Sequence, residues 1–548
     1  MEYSLSRFLP SAALTSKAGA MRYGELLGCT LNLENKNLEN KIVMQRFWRQ
    51  VTQATLTSVM LGLSLGIPRL AANAVGITDE LAQQVTTTQR LTVDLYNGGS
   101  DGDGGFGAYQ NGQNNGQRHE SRKRHSITVA PGWNGFSYAF LNRDFSQRPV
   151  DFPARRMNHL VGQSRVIYIN AETHRLLGTQ HSRFREVAQQ AADFLIESAW
   201  DKTYGGWYWG IEPDGANPPL DNSPVYGPGA QEKDAYGQVH AALSLAKVYA
   251  ITDDRRYLDA ALKGWSHFTA KHADESVGSY TANFNRDYTN QPIGSSAGTR
   301  NFEYILHAFE TALALYDVTE GTTREGLRQD AYDLGQHIIS RMVQVEETAL
   351  VGGKYTRAYI PWFYTPAWEP MTYQPNQANS GSSEADLPIS NYTSSGHQFE
   401  MALFLSRAVE RGIGEQSWLT TADQLLNHGL HYSYDPTHGT VNYSRLRLHG
   451  DIYADGQTVV WWPQAEAARA LAHFAIVRDR ADLWDEFELT FNMIQTQLTD
   501  SVYGGWFQAL SPDTLMPIDP DKLKGQPWKV YYHATMLQAE LVRLSQLE

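Results

Sequence analysis

Two His-x-x-Glu pairs stand out in the chain: His307-Ala308-Phe309-Glu310 and His397-Gln398-Phe399-Glu400. Both lie in apolar stretches with helical spacing. Residues three apart share a helix face, so each pair presents an imidazole and a carboxylate side by side. Such a carboxylate can fix the imidazole's tautomer and raise its pKa, which suits a proton-transferring base near neutral pH. Either pair alone reads more simply as a satisfied core histidine or a helix-surface pair. Two copies, both in long apolar helices, bring the chemical reading level with the structural one. Three further places carry polar or aromatic groups in apolar helices. Arg165 lies within Gln163–Tyr168, and a buried arginine needs an anionic or polar partner. Trp461-Trp462-Pro463-Gln464-Ala465-Glu466 puts two indoles at the start of a helix, and Trp528 to His533 opens the last one. Core packing and loop anchoring are the plain account of each of these taken singly.

Competing chemistries are weaker. Carboxylate-bridged metal sites in helical bundles use Glu-x-x-His, the reverse order, with further Glu ligands on facing helices. There is no H-E-x-x-H, and the single cysteine, Cys29, excludes both a Cys-rich zinc site and a disulfide scaffold. No metal is therefore expected. Gly294-Ser295-Ser296-Ala297-Gly298 has the form of a nucleophile elbow, but the polar, turn-rich Asn285–Ile293 before it is no buried strand. Gly98–Gly105 lacks the strand–turn–helix frame of a phosphate loop. A formal charge of −13 argues against nucleic acid as a partner. The one dense basic run, Arg118–His125, reads as a solvated loop.

The elements that must position these residues come in pairs. One set of predicted helices, 158–176, 233–251, 299–319, 396–411, 460–477 and 529–546, carries His, Glu, Arg and Trp among its apolar residues. The other, 77–95, 182–200, 255–271, 323–345, 416–429 and 481–499, has the pattern of amphipathic cover. Six of each implies an all-α (α/α)6 barrel, with the first set lining a pocket at one mouth. The 548 residues, 42% hydrophobic, can support so large a core. Tyr204-Gly205-Gly206-Trp207-Tyr208 is echoed by Tyr503-Gly504-Gly505-Trp506-Phe507, and more weakly by Trp133-Asn134-Gly135-Phe136. These read as tight glycine turns after outer helices, architecture rather than catalysis. Long connections at 272–298 and 346–395 could overhang the same mouth.

No apolar run is long enough to span a bilayer. From Met44, however, the chain shows a basic start at Arg46 and Arg49, an uncharged stretch Val51–Ile67, and Ala72-Asn73-Ala74, the three parts of a signal peptide in order. The expected organisation is 1–74 as an over-extended start plus signal peptide, with the true start near Met44. Residues 75–132 would be a first outer helix and a Gly/Asn-rich loop, and 133–548 the barrel. A periplasmic or secreted location follows, with the cytoplasm as the alternative.

Over about residues 133–546 the chain resembles the N-acylglucosamine 2-epimerase family, which includes mannose isomerases, sulfoquinovose isomerases and cellobiose 2-epimerases. The motifs that carry the resemblance arrive in family order: QSRVIY, KDAYGQVHAALSLAKVYAITDD, HAFETALALYDVT, GHQFEMALFL, WWPQAEAARAL and GGWF followed by WKVYYH. The resemblance implies an (α/α)6 barrel that moves a proton at C2 of an open-chain reducing sugar without cofactor or metal. It makes His397 and His533 the proton-transferring pair and has Glu400 support His397. Arg165, His307 and Glu310 fall to the substrate-binding side, and Trp462 and Trp528 pack on the sugar. Ile305 stands where family members often carry a second histidine. Two other classes remain open: an (α/α)6 glycoside hydrolase recruiting Asp234, Glu310 and Glu400 as paired carboxylates, and a non-catalytic carbohydrate-binding barrel. The partner is a small-molecule sugar in each case, with no membrane in the mature form. A monomer and a homodimer fit equally.

Overall fold

The computed structural model describes residues 76–97 and 158–547. Interruptions fall at 180, 213–214, 221, 224–227, 275, 277, 290–299, 351–352, 366, 371–391, 449–450, 456–457, 520–523 and 526–527. The chain divides into Glu2–Ala74 and Val75–Glu548, and all the described residues belong to the second unit. The signal-like stretch, Cys29, the basic run, Trp133–Phe136 and Gly294–Gly298 lie outside the described residues.

Twelve α-helices are found among the described residues. They are α1 Asp79–Tyr96, α2 Leu160–Leu177, α3 Ser182–Phe194, α4 Ala235–Thr252, α5 Arg255–Lys271, α6 Phe302–Asp317, α7 Gly321–His337, α8 Ser395–Glu410, α9 Ser417–Tyr432, α10 Trp461–Val477, α11 Trp484–Met493 and α12 Tyr532–Ser545. The even-numbered helices are the expected inner set. Each packs against the next, and α12 packs back on α2, which closes the ring. Each inner helix also packs on an outer partner, and α12 takes α1 from the other end of the chain. This is the (α/α)6 barrel. The inner helices are buried on almost every face, as in α4 and α10, because one side meets the barrel interior and the other the outer ring. The outer helices bury a stripe only. Three of them, α3, α7 and α11, end in a single π turn, at Leu195–Ala199, Ile338–Met342 and Ile494–Leu498. No helix among the described residues is long and apolar enough to cross a membrane.

A repeated device sets the mouth. Before each of five inner helices, α2 to α10, runs a short strand that pairs antiparallel with a strand following the outer helix of the same hairpin. The pairs are 158–159 with 210–211, 233–234 with 283–284, 300–301 with 363–364, 392–394 with 444–446, and 459–460 with 509–510. Three of these strands end in the residue that caps the helix: His159, Asp234 and Asn301 accept from backbone N–H groups of α2, α4 and α6. A second device uses glutamine. Gln238, Gln398 and Gln464, in the first turns of α4, α8 and α10, each accept from and donate to the backbone of one loop residue, Trp207, Ile360 and Val441 respectively. The loops are thereby tied to the helices that carry the site.

The glycine turns are architecture, as expected. Gly205 and Gly206, and Gly504 and Gly505, all have positive φ, a region an L side chain resists. Each turn wraps a buried ion pair, Lys233–Asp201 at 3.2 Å and Lys524–Asp500 at 3.0 Å. Antiparallel bridges, Trp200 with Trp207 and Thr499 with Trp506, close each turn, and the strand after it pairs with the strand ahead of the inner helix. The connection 346–395 is less irregular than a plain loop: Gln344–Leu350 and Gly353–Tyr359 form an antiparallel hairpin.

Candidate active site

His397 and His533 belong to the first turns of α8 and α12. Both pack on the indole of Trp462 from α10, with ring centroids 4.9 Å and 5.2 Å away. The chain separates them by more than a hundred residues, and the ring closure brings them to one side chain. Both are buried. Glu466, one turn beyond Trp462, accepts from or shares a proton with His533 Nδ1 at 2.8 Å, and its other oxygen takes Arg469 Nη1 at 3.0 Å. This leaves the Nε2 of His533 for other work.

Arg165 reaches across from α2. Its Nη1 donates to the Trp528 carbonyl at 2.5 Å and its Nη2 to the Tyr236 hydroxyl at 2.8 Å, while its plane lies 4.8 Å over the Tyr532 ring. The buried Nε has no partner among the described residues. Tyr236 in turn lies 3.4 Å from His307 Nε2. His307 Nδ1 meets Glu310 at 2.9 Å, and the Tyr532 hydroxyl donates to the same carboxylate at 2.8 Å. Trp528 stands near Tyr236 at 5.8 Å and edge-on to His159 at 4.9 Å.

The two His-x-x-Glu pairs therefore differ. At 307/310 the imidazole and carboxylate are hydrogen-bonded, as the spacing predicts. At 397/400 they are not: His397 Nδ1 and both Glu400 oxygens lack hydrogen-bond partners among the described residues. Glu400 turns instead toward the neighbouring helices, where Glu400, Glu466 and His533 bring ligand atoms within 4.8 Å of one another. The carboxylate partner of a catalytic-candidate histidine thus comes from a different helix. Asp234, considered for a hydrolase, is the cap of α4.

A family model for N-acylglucosamine 2-epimerase matches residues 144–536, well over half the chain. The chain belongs to the N-acylglucosamine 2-epimerase family. Membership places it among sugar epimerases and isomerases, the enzyme class expected from its motifs. The cellobiose 2-epimerase of Bacteroides fragilis is 22% identical over 394 residues, covering 69% of this chain and 86% of that protein. The structure of cellobiose 2-epimerase from Spirochaeta thermophila DSM 6192 matches with a TM-score of 0.61 at 19% identity, over 86% of this chain and 98% of that one. A D-mannose isomerase structure matches with a TM-score of 0.62 at 16% identity, over 86% and 99%. These structural likenesses carry the barrel.

In this epimerase-family chain the site's electrostatics follow from burial. Burial, with nearby cationic and imidazole groups, holds His397 and His533 well below the usual imidazole range, which favours the uncharged ring in both. Burial also lowers His307, with Glu310 pulling the other way. Burial raises Glu400, and the charge of Glu466 raises it further; burial raises Glu466 against the pull of Arg469. Several members of the site escaped sequence reasoning as functional residues: Glu466, Tyr236 and Tyr532, then His240, whose ring centroid lies 4.5 Å from that of His307, and Glu303 and Trp362, which meet at 2.9 Å beside His397. Glu466 and His240 left a signal, being polar residues in the alanine-rich runs PQAEAARAL and QVHAALSLA. Trp362 and Glu303 left none that local spacing could reveal.

Proposed function

We propose that this chain is a sugar 2-epimerase or aldose–ketose isomerase that moves the C2 proton of an open-chain aldose through an enediolate, with no cofactor or metal. The observation that carries the reading is the convergence of two buried imidazoles, His397 and His533, on one indole. A proton alpha to an aldehyde is weakly acidic, so its removal needs a placed base and a stabilised oxyanion. A neutral imidazole is such a base, and Glu466 orients that of His533. Arg165, fixed by Tyr236 and the Trp528 carbonyl, offers the positive charge for the oxyanion, and His307 a further donor. If the two bases act on opposite faces of C2, the product is the epimer; if one base carries the proton from C2 to C1, it is the ketose. Trp462 and Trp528 supply apolar faces for a sugar ring. Names of relatives, cellobiose 2-epimerase and D-mannose isomerase, make a reducing mono- or disaccharide the substrate class to test.

The test is a panel of aldoses in D2O followed by NMR. Deuterium enters at C2 and no new reducing ends appear. His397→Asn and His533→Asn each lower turnover by about a hundredfold or more while sugar binding persists. New reducing ends from a disaccharide would instead favour the hydrolase reading, and binding without any turnover the carbohydrate-binding one. Export is part of the same proposal, and mass spectrometry of the mature protein should then find an amino terminus just beyond Ala74; a protein retaining residues 1–70 would overturn it.

A further inference from the structure

Glu303 lies in the first turn of α6, one turn before His307. One carboxylate oxygen accepts from Trp362 Nε1 at 2.9 Å and lies 4.0 Å from His397 Nε2; the other accepts from Asn301 Nδ2 at 3.3 Å. Its side chain is 26% exposed, against 6% for His397. The other acids around the two imidazoles are covered or engaged: Glu310 by His307 and Tyr532, Glu466 by His533 and Arg469, and Glu400 by complete burial. Among the described residues Glu303 has no Lys or Arg within ion-pair distance. It is thus a carboxylate beside a candidate base, open on one side and with no cation in direct contact, Arg165 acting on it only from a distance.

We propose, building on the isomerase reading, that Glu303 contacts the substrate and filters it by charge, admitting neutral and amino-bearing aldoses and turning away sugar acids. A carboxylate has about four acceptor sites, so the capacity left after Trp362 and Asn301 suits sugar hydroxyls. An ammonium group would gain a charge-assisted hydrogen bond. A second carboxylate would meet repulsion, since like charges a few ångströms apart in a partly dry site are costly even at a high effective dielectric.

A simpler role for Glu303 is to anchor Trp362 beside His397, and glutamine separates the two. Glu303→Gln keeps an acceptor for the indole N–H and loses the charge. Exchange at C2 in D2O is measured for the best neutral aldose of the panel, its uronic acid and its 2-amino counterpart, with wild type and E303Q. Wild type prefers the neutral sugar over the acid by at least about tenfold in kcat/KM. E303Q narrows that preference by about tenfold, chiefly through KM for the acid, and weakens the amino sugar. If E303Q retains the wild-type preference, Glu303 only anchors the indole and the proposal is overturned. It is equally overturned if wild type takes acid and neutral sugar alike. Those two results leave the isomerase reading standing. Absence of C2 exchange with every aldose removes that reading and the proposal with it.

Discussion

At the scale of single residues, the two candidate bases sit in unlike settings. His533 is held by a carboxylate at 2.8 Å, whereas among the described residues His397 has no partner on Nδ1 and its nearest ion-pair acid, Glu303, lies 4.0 Å from Nε2. A ring oriented by a carboxylate presents one tautomer and accepts a proton readily; a ring without that support is the better place to return one. Glu400 is a buried acid raised in pKa by burial and by Glu466. Glu466 ionises first: its charge raises Glu400, whereas the carboxylate whose charge raises Glu466 is Glu310. The ionised Glu466 accepts a hydrogen bond from His533 Nδ1, so activity should rise with pH through the titration of Glu466, which burial pushes up to about 7. Glu400 still holds its proton there, so Glu400→Gln, a neutral side chain of nearly the same shape, should leave the acid limb of the kcat/KM profile within about 0.3 unit of its place. A limb moved down by a full unit would show that Glu400 carries charge while Glu466 titrates.

Among the elements, the contact between α8 and α10 sets the distance between base and indole. Gly396 makes this contact close: a Cβ built there would lie 2.1 Å from Trp462 Cζ3. The indole must move to admit even a methyl group, and both histidines rest on it. Gly396→Ala should cost about 1–3 kcal/mol in stability through overpacking. It should also lower turnover by more than the loss of folded protein explains, because the reacting groups shift together. Thermal melts and turnover per folded molecule, measured on one preparation, check this; unchanged turnover with a lowered Tm would make Trp462 a packing residue alone. The short strands and the glutamine clamps explain how loops of such different lengths reach the same mouth: the five hairpins from α2 to α10 are each pinned at their entry by backbone pairing, and three of them also by a side-chain amide.

For the whole molecule, closure is the decisive event. The last inner helix, α12, carries His533, and it is held between α10 and α2 with α1 outside it. Gln89 on α1 donates to Thr535 of α12 at 2.8 Å and to Thr173 of α2 at 2.9 Å, so one buried amide joins the two ends of the ring. Gln89→Ala leaves both hydroxyls without that donor and should destabilise the barrel by about 1–3 kcal/mol. Chemical denaturation should show it. Loss of activity at denaturant levels below the main unfolding transition would mark the seam as the first part to open, since His533 sits on it.

The sequence by itself determined the barrel. Helical periodicity is a local property, and the inner and outer sets differ in burial all round versus a stripe, so all twelve helices were legible, with ends displaced by a few residues, in part by the short strands and π turns. The motif order was enough to identify the family. The histidines, Arg165 and the tryptophans were legible because polar or aromatic residues in apolar helices are conspicuous. Partnership was not. His397-x-x-Glu400 and His307-x-x-Glu310 look alike in the sequence, yet only the second forms its hydrogen bond. Which carboxylate meets which imidazole depends on the neighbouring helix, and here Glu466 of α10 reaches His533 of α12 across 67 residues. Trp362 meets Glu303 across 59. Such pairings are made by ring closure, a long-range packing event that no local spacing encodes, and the tertiary structure alone decided them.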